Sequence, residues 1–352
     1  MLPSLLLFIT HLHPILLCLQ LQFTTFEPFT VLFFLSFSFS KTTNYSLSLS
    51  FSWTKMAPSF DQSVNTVCVM DASGQLGTSL VERLLQKGYT VHASIQTHGE
   101  EQFNGISADT NRLKIFRSDP FDYHSITDAL KGCSGLFYTF EPPQDQPNYD
   151  EYIADVEVRA AHNVLEACAQ TETIDKVVFT SSATAIVWKE DRKSMECDLD
   201  ERHWSDVNFC RKFKLWHGMS KTLAEKTAWA LAMDRGLNMV SINAGLLMGD
   251  DLTIKYPYLR GAAEMYEDGV LVTVDLGILV DSHISVYEDV SSYGRYLCFN
   301  HIINTHDDAV QLARKSTSVA PSLPQSRDQG KGFIQQRISN RKLKKLMVNS
   351  LG

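Results

Sequence analysis

Thr66-Val67-Cys68-Val69-Met70-Asp71-Ala72-Ser73-Gly74-Gln75-Leu76-Gly77-Thr78 is the stretch on which the fold turns. Its β-branched, apolar opening predicts a strand over Thr66–Asp71, and Leu80, Val81, Leu84 and Leu85 recur at helical spacing, predicting a helix over Thr78–Lys87. Between the two, Gly74 and Gly77 stand three residues apart. A glycine-rich turn from strand to helix lets the backbone approach a pyrophosphate, which then rests on the positive end of the helix dipole. Ala72, Ser73, Gly74, Gln75, Leu76 and Gly77 are therefore candidate dinucleotide-binding residues. The leading glycine of such a turn is missing. Asp71 stands there, a residue that tolerates a left-handed backbone but brings a carboxylate toward the phosphates, and a turn that uses glycine for packing alone stays open.

Outward from this turn, short apolar runs alternate with amphipathic stretches, the pattern of βαβ units around a parallel sheet covered on both faces. Strands are predicted at Thr90–Gln96, Lys114–Ser118, Gly135–Glu141, Lys176–Ser182 and Asn238–Asn243, with helices at Tyr152–Ala169 and Leu215–Arg235. The expected fold is α/β, a Rossmann-type doubly wound parallel sheet over residues 56–249. Beyond Gly249 the alternation weakens. Helices at Tyr258–Asp268, Ile278–Glu288 and His306–Arg314 and a strand at Arg295–Phe299 suggest a smaller, substrate-side lobe over residues 250–316. Thr317–Lys331 is rich in Ser, Pro, Gln and Gly and reads as a linker, ahead of a basic terminal helix at about Phe333–Val348.

The end of the second strand should decide the cofactor, since a carboxylate there takes the ribose diol of NAD and a basic residue accommodates the phosphate of NADP. Gln96 is neither, and repels no phosphate. With Thr97 and His98 as donors, the choice leans to NADP(H) and leaves NAD(H) open. Asp119, after the third strand, is either an adenine-edge contact or a simple turn cap.

Forty acidic residues against 32 basic ones give a net charge of -8, which argues against nucleic acid and for a small-molecule substrate or a protein partner. A mean hydropathy of -0.12 is too polar for several membrane spans. The seven cysteines form no Cys-x-x-Cys pair, and most sit in apolar runs, as reduced thiols of a cytoplasmic protein would. No His or Cys set has metal-ligand spacing. His283 falls among apolar helix positions and reads as packed; Arg260, Glu264 and Glu267 read as a solvated face, as does Arg341–Lys345. The first 55 residues differ: their charges are Glu27, Lys41 and Lys55, they lack glycine, and they hold nine of the 20 phenylalanines. No basic region precedes Leu5, and His11, His13 and Pro14 interrupt the apolar run, unlike a secretory signal. The expectation is a translated leader ahead of a native start at Met56, with a targeting segment as the alternative.

The fifth strand ends Thr180-Ser181-Ser182, and the helix after it carries Trp216-His217-Gly218-Met219-Ser220-Lys221, where His217 and Lys221 share a face at i, i+4. With the Ala72–Gly77 turn, Asp119, Lys131-Gly132-Cys133, Asn163–Cys168 and Lys221–Lys226, the chain resembles the extended short-chain dehydrogenase/reductases. Within them it is most similar to the plant cinnamoyl-CoA reductase and dihydroflavonol reductase group, over Asn65 to about Asn300. The resemblance implies a catalytic Ser, Tyr and Lys: Ser and Tyr polarise the substrate carbonyl, and Lys holds the cofactor ribose. Carried over, the serine is Ser182 and the lysine Lys221, but the tyrosine position holds His217. A phenol titrates at roughly 10 and an imidazole at roughly 6.5, so beside an ammonium the histidine should be neutral. It is then a substitute general acid, the mark of a weakened reductase, the sign of a nucleotide-binding protein without turnover, or an ordinary polar helix residue. Asn243-Ala244-Gly245 stands where the resemblance implies Asn-Pro-Gly facing the nicotinamide, and Leu215-Trp216-His217-Gly218 replaces Asn-Trp-Tyr-Cys, so the substrate does not transfer.

Overall fold

Seven parallel strands carry the molecule. In a computed structural model of the chain, the residues described are 66–96, 111–140, 149–190, 197–249, 252–253, 255–316 and 333–350. The expected leader, Thr97 and His98, and the expected linker lie outside them. The strands are β1 (Thr66–Met70), β2 (Thr90–Ile95), β3 (Leu113–Arg117), β4 (Gly135–Tyr138), β5 (Lys176–Ser182), β6 (Met239–Ala244), and then β7 (Leu246–Leu247), β8 (Val272–Val274), β9 (Gly294–Cys298) and β10 (His301–Ile302). The large sheet runs β3-β2-β1-β4-β5-β6-β9, so the order reverses between β1 and β4, and β10-β8-β7 form a small second sheet. Ligands of doubly wound sheets bind at the strand C-termini beside such a reversal.

The helices are α1 (Gln75–Gln86), α2 (Tyr123–Leu130), α3 (Glu151–Ala169), α4 (Thr184–Val187), α5 (Val207–Lys212), α6 (Trp216–Arg235), α7 (Ala262–Glu267), α8 (Leu276–Glu288), α9 (His306–Ser316) and α10 (Arg341–Ser350). Strand alternation sends Val67, Val69 and Phe137 into one core with Leu80 and Leu84 of α1, Ile284 of α8 and Leu343 of α10. Cys68, Met70 and Tyr138 enter the opposite core with Ile126 of α2, Val164 of α3 and Ala228 of α6. Each fully buried Leu or Phe there contributes about 1.5–3 kcal/mol over an exposed one. A third cluster, around Trp188, Met265 and Leu297, underlies the small sheet.

Six strands of the large sheet lie where the apolar runs predicted them; the seventh, β9, was expected in the smaller lobe beyond Gly249 and instead pairs in parallel with β6. Several other elements differ. The first helix starts at Gln75, because Gly74 is already its N-cap. The helix expected over Tyr258–Asp268 is a 3-10 turn at Pro257–Leu259 and α7, separated by Gly261 at φ +86° with the Trp188 ring against its Cα. The terminal helix begins at Arg341; ahead of it Ile338 bridges Leu199 in parallel, and Leu343 and Leu346 are core residues. Its basic run is accordingly not all solvated: the Lys342 ammonium donates to the Arg295 carbonyl at 2.9 Å and lies 4.0 Å from the Tyr296 ring centre.

Candidate active site

The turn after β1 presses the first helix onto the strand. A Cβ at Gly77 would come within 2.6 Å of the Asp71 carbonyl oxygen and 2.7 Å of Ala72 Cα, so only glycine permits this packing. Gly74, by contrast, has open space around it, and as N-cap it leaves α1 without a side-chain cap. Bare backbone at a helix N-terminus suits a diphosphate. Gln75 is exposed beside it and packs against Gly249, while Leu76 turns inward to line the cleft. Asp71 adopts φ +65°, the conformation for which a leading glycine is the easy choice. Its carboxylate is held by Ser73 Oγ at 2.9 Å and by Gln96 Nε2 at 3.1 Å. Gln96 thus faces Asp71.

Asp119 caps a turn: its Oδ1 accepts from the Phe121 N–H at 2.8 Å and its own N–H donates to Ser125 Oγ at 3.0 Å. One of its carboxylate oxygens is thus used within the turn. Asn243 also departs from expectation. Its side chain is fully buried and donates to Glu225 Oε2 at 2.7 Å, because β6 alternation points it at α6; Ala244 and Gly245 reach the cleft instead.

At the C-terminal ends of β5 and β6 a cleft of about 470 Å³ is lined by Ser182, His217, Lys221, Gly245, Tyr256 and Tyr258, among others. It brings the three predicted catalytic residues together. Thr184 joins two of them: its hydroxyl donates to Ser182 Oγ at 3.1 Å and sits 3.0 Å from His217 Nδ1. With its one proton given to Ser182, Thr184 must accept from His217, which fixes the Nδ1–H tautomer and leaves Nε2 as the proton-accepting nitrogen. Ser182 in turn donates to the Ala244 carbonyl across 3.5 Å, a long bond. Burial, and secondarily the Lys221 charge, hold the His217 pKa well below its ordinary value, so the imidazole is neutral. The Tyr149, Tyr256 and Tyr258 rings lie 6.0, 6.4 and 5.8 Å from it.

The Lys221 ammonium meets a buried carboxylate, Glu157 Oε1 of α3, at 2.7 Å. Glu157 also accepts from Ser220 Oγ and from Tyr149 Oη, the latter at 3.2 Å. Neither Glu157 nor Thr184 was expected from sequence. Glu157 did leave a trace: it interrupts the inward stripe Ile153, Ala154, Ala160, Ala161 and Val164 of α3, where a charge needs a partner. His283 is fully buried, bonded to the Leu279 carbonyl and Thr180 Oγ1, both at 2.8 Å, and is a packing residue.

The sequence profile of the NAD dependent epimerase/dehydratase family matches residues 67–264. The chain belongs to that family. Family members of known activity are similar across most of its length. Cinnamoyl-CoA reductase 1 of Petunia hybrida is 33% identical over 80% of this chain and 86% of its own. A bifunctional dihydroflavonol 4-reductase/flavanone 4-reductase of Malus domestica is 32% identical over 71% of this chain and 76% of its own. Among solved structures, vestitone reductase from alfalfa (Medicago sativa) superposes with a TM-score of 0.60 at 25% identity, covering 80% of this chain and 91% of that one. These relatives are oxidoreductases by name, and the shared sheet places this chain's cleft on the family's fold.

Proposed function

We propose that the protein is a cytoplasmic, nicotinamide-dinucleotide-dependent oxidoreductase that interconverts a carbonyl and an alcohol on a hydrophobic, phenylpropanoid-like small molecule. The observation that carries this reading is the chain of hydrogen bonds from His217 through Thr184 to Ser182, ending in a cleft walled by Tyr256 and Tyr258. Gly74, Gln75 and Leu76 would hold the diphosphate at the α1 N-terminus, and Lys221 would stand beside the nicotinamide ribose. The bound dinucleotide supplies or takes up the hydride.

The protein's own part is the proton. In the reducing direction Ser182 donates to the substrate oxygen, a change that costs little because its bond to the Ala244 carbonyl is long. Thr184 reprotonates Ser182, and the Nδ1 proton of His217 reprotonates Thr184 as Nε2 takes up a proton from the cleft; the ring is left as the Nε2–H tautomer and returns to the Nδ1–H form by exchanging that proton with solvent. In this account His217 acts through Thr184 in place of the family's tyrosine. Lys221 adds positive charge that Glu157 partly offsets.

That offset favours a second reading, a nucleotide-binding protein of this fold without turnover, since a lysine matched by a buried carboxylate lends less charge to a reacting oxygen. One assay separates the two: turnover of a panel of aromatic aldehydes and ketones with NADH and NADPH by the wild type, Thr184→Val and His217→Tyr. The catalytic reading expects measurable turnover that falls by about a hundredfold in Thr184→Val, the scale of a lost general acid. Nucleotide binding without any turnover, with activity appearing only in His217→Tyr, establishes the non-catalytic reading.

A further inference from the structure

We propose that Asp71 selects the cofactor, making this chain prefer NADH to NADPH; the inference rests on the dinucleotide reading above. In a doubly wound sheet the adenosine ribose lies at the end of β2, where a carboxylate accepts from the ribose diol and repels a 2′-phosphate. The sequence ends β2 with the uncharged Gln96, which is silent on the matter. The fold supplies a carboxylate from the neighbouring strand. β1 and β2 pair in parallel, Met70 against Ser94, so the residue after β1 stands beside the residues that end β2. There Gln96 Nε2 donates to Asp71 Oδ2 and Ser73 Oγ donates to Asp71 Oδ1, at 3.1 and 2.9 Å. Both carboxylate oxygens are thereby fixed in place, one by the β2 residue that would otherwise meet the ribose and one by the glycine-rich turn.

Two properties of Asp71 make the carboxylate effective. It is only 8% exposed, so solvent screens its charge weakly. Its backbone lies at φ +65°, where glycine is the easier choice even over a tolerant aspartate, and a carboxylate kept there points to a use. The basic residue nearest by strand register is Arg117, opposite Ile95 on β3 and so on the far side of β2 from Asp71.

The test is a fluorescence titration of NADH and NADPH into the full-length wild type, Asp71→Gly, Asp71→Asn and Arg117→Ala. Asn keeps the tolerance for positive φ and one acceptor oxygen, and retained NADH binding shows that a variant is folded. The expected result is NADH bound about tenfold or more tighter than NADPH by the wild type. Both Asp71 variants should narrow or reverse that ratio by about tenfold, chiefly by tightening NADPH. A wild type that prefers NADPH, or a ratio unmoved in both Asp71 variants, overturns the proposal; a ratio that moves only in Arg117→Ala assigns the role to Arg117 instead. Absence of binding of either nucleotide to any of the four proteins removes the dinucleotide reading itself, a separate failure.

Discussion

Helix α6 carries two buried ion pairs one turn apart, and they are built differently. Glu225 meets Arg295 in a fork, Nε to Oε1 at 2.8 Å and Nη2 to Oε2 at 3.1 Å, and also accepts from Ser181, Ser241 and Asn243 at 2.8, 2.6 and 2.7 Å. Arg295 goes on to the Glu201 carbonyl and stacks 3.6 Å from the Trp204 ring centre. Lys221 meets Glu157 Oε1 at 2.7 Å at the cleft wall, where Lys221 borders open space. The first pair is sealed on every side and ties α6 to β5, β6 and β9. The second leaves a charge where a ligand can feel it. The histidines divide the same way, His283 enclosed in the core and His217 facing the cleft. Among these buried ionisable groups, enclosure on every side marks structure and a place on the cleft wall marks the site.

The sharpest test of that division removes Glu225. Burial would raise its carboxyl pKa, but Arg295 and the hydroxyl donors hold it below the ordinary value, so it is ionised and the guanidinium depends on it. Glu225→Ala should cost about 3–5 kcal/mol, the scale of stranding a buried charge, read as a lower midpoint in urea unfolding. A loss below about 1 kcal/mol would mean that water or Glu201 replaces the partner, and the sealed pair would be no different from a surface one.

The next effect is a pH dependence. Burial lowers the His283 pKa from 6.5 to about 4, with the Leu279 carbonyl opposing in part. The folded state therefore binds the proton less readily than the unfolded one. His283 contributes stability above pH 6.5 that is lost as the pH falls toward about 4. At pH 5 the loss is about 2 kcal/mol. His283→Gln should be less stable at pH 7 but should show a flatter stability profile between pH 6.5 and 4 than the wild type. Parallel profiles would show that the sealed histidine accepts a proton without opening the core.

What could be read from sequence, and what could not, follows the range of the interactions. The β-branched runs of the large sheet, the Gly74–Gly77 turn and the shared face of His217 and Lys221 are set by neighbours a few residues away, and period and spacing record them. Helix α2 went unread because its buried side is only Ile126, Ala129 and Leu130, too few for a clear stripe. Thr184 was hidden for another reason: it looks like a continuation of the strand and earns its place only when α6 packs across β5. The partners of Lys221, Asn243 and Gln96 come from other elements, Glu157, Glu225 and Asp71, and no pattern within one element names them. Asn243 shows the cost: the motif suggested a cofactor contact, and the register of β6 against α6 turned its side chain inward.

The smallest expected effect bears most directly on the cleft. Glu157→Gln removes the charge but keeps the size of the side chain and one acceptor oxygen, which can face Lys221 while the amide N–H groups donate to the Ser220 and Tyr149 hydroxyls. If the pair is structural like its neighbour, the variant should be crippled, because Lys221 is nearly as buried as Arg295. The comparison predicts otherwise. Lys221 lies at the edge of a cleft that admits water, and a lysine head on a flexible stem can turn toward it, whereas the guanidinium of Arg295 is fixed among carbonyls and an indole. Glu157→Gln should therefore cost about 1 kcal/mol in the same urea experiment, a third or less of the Glu225→Ala loss. A loss equal to that of Glu225→Ala would make Lys221–Glu157 a second structural clamp, and the lysine's positive charge could no longer be assigned to the cleft.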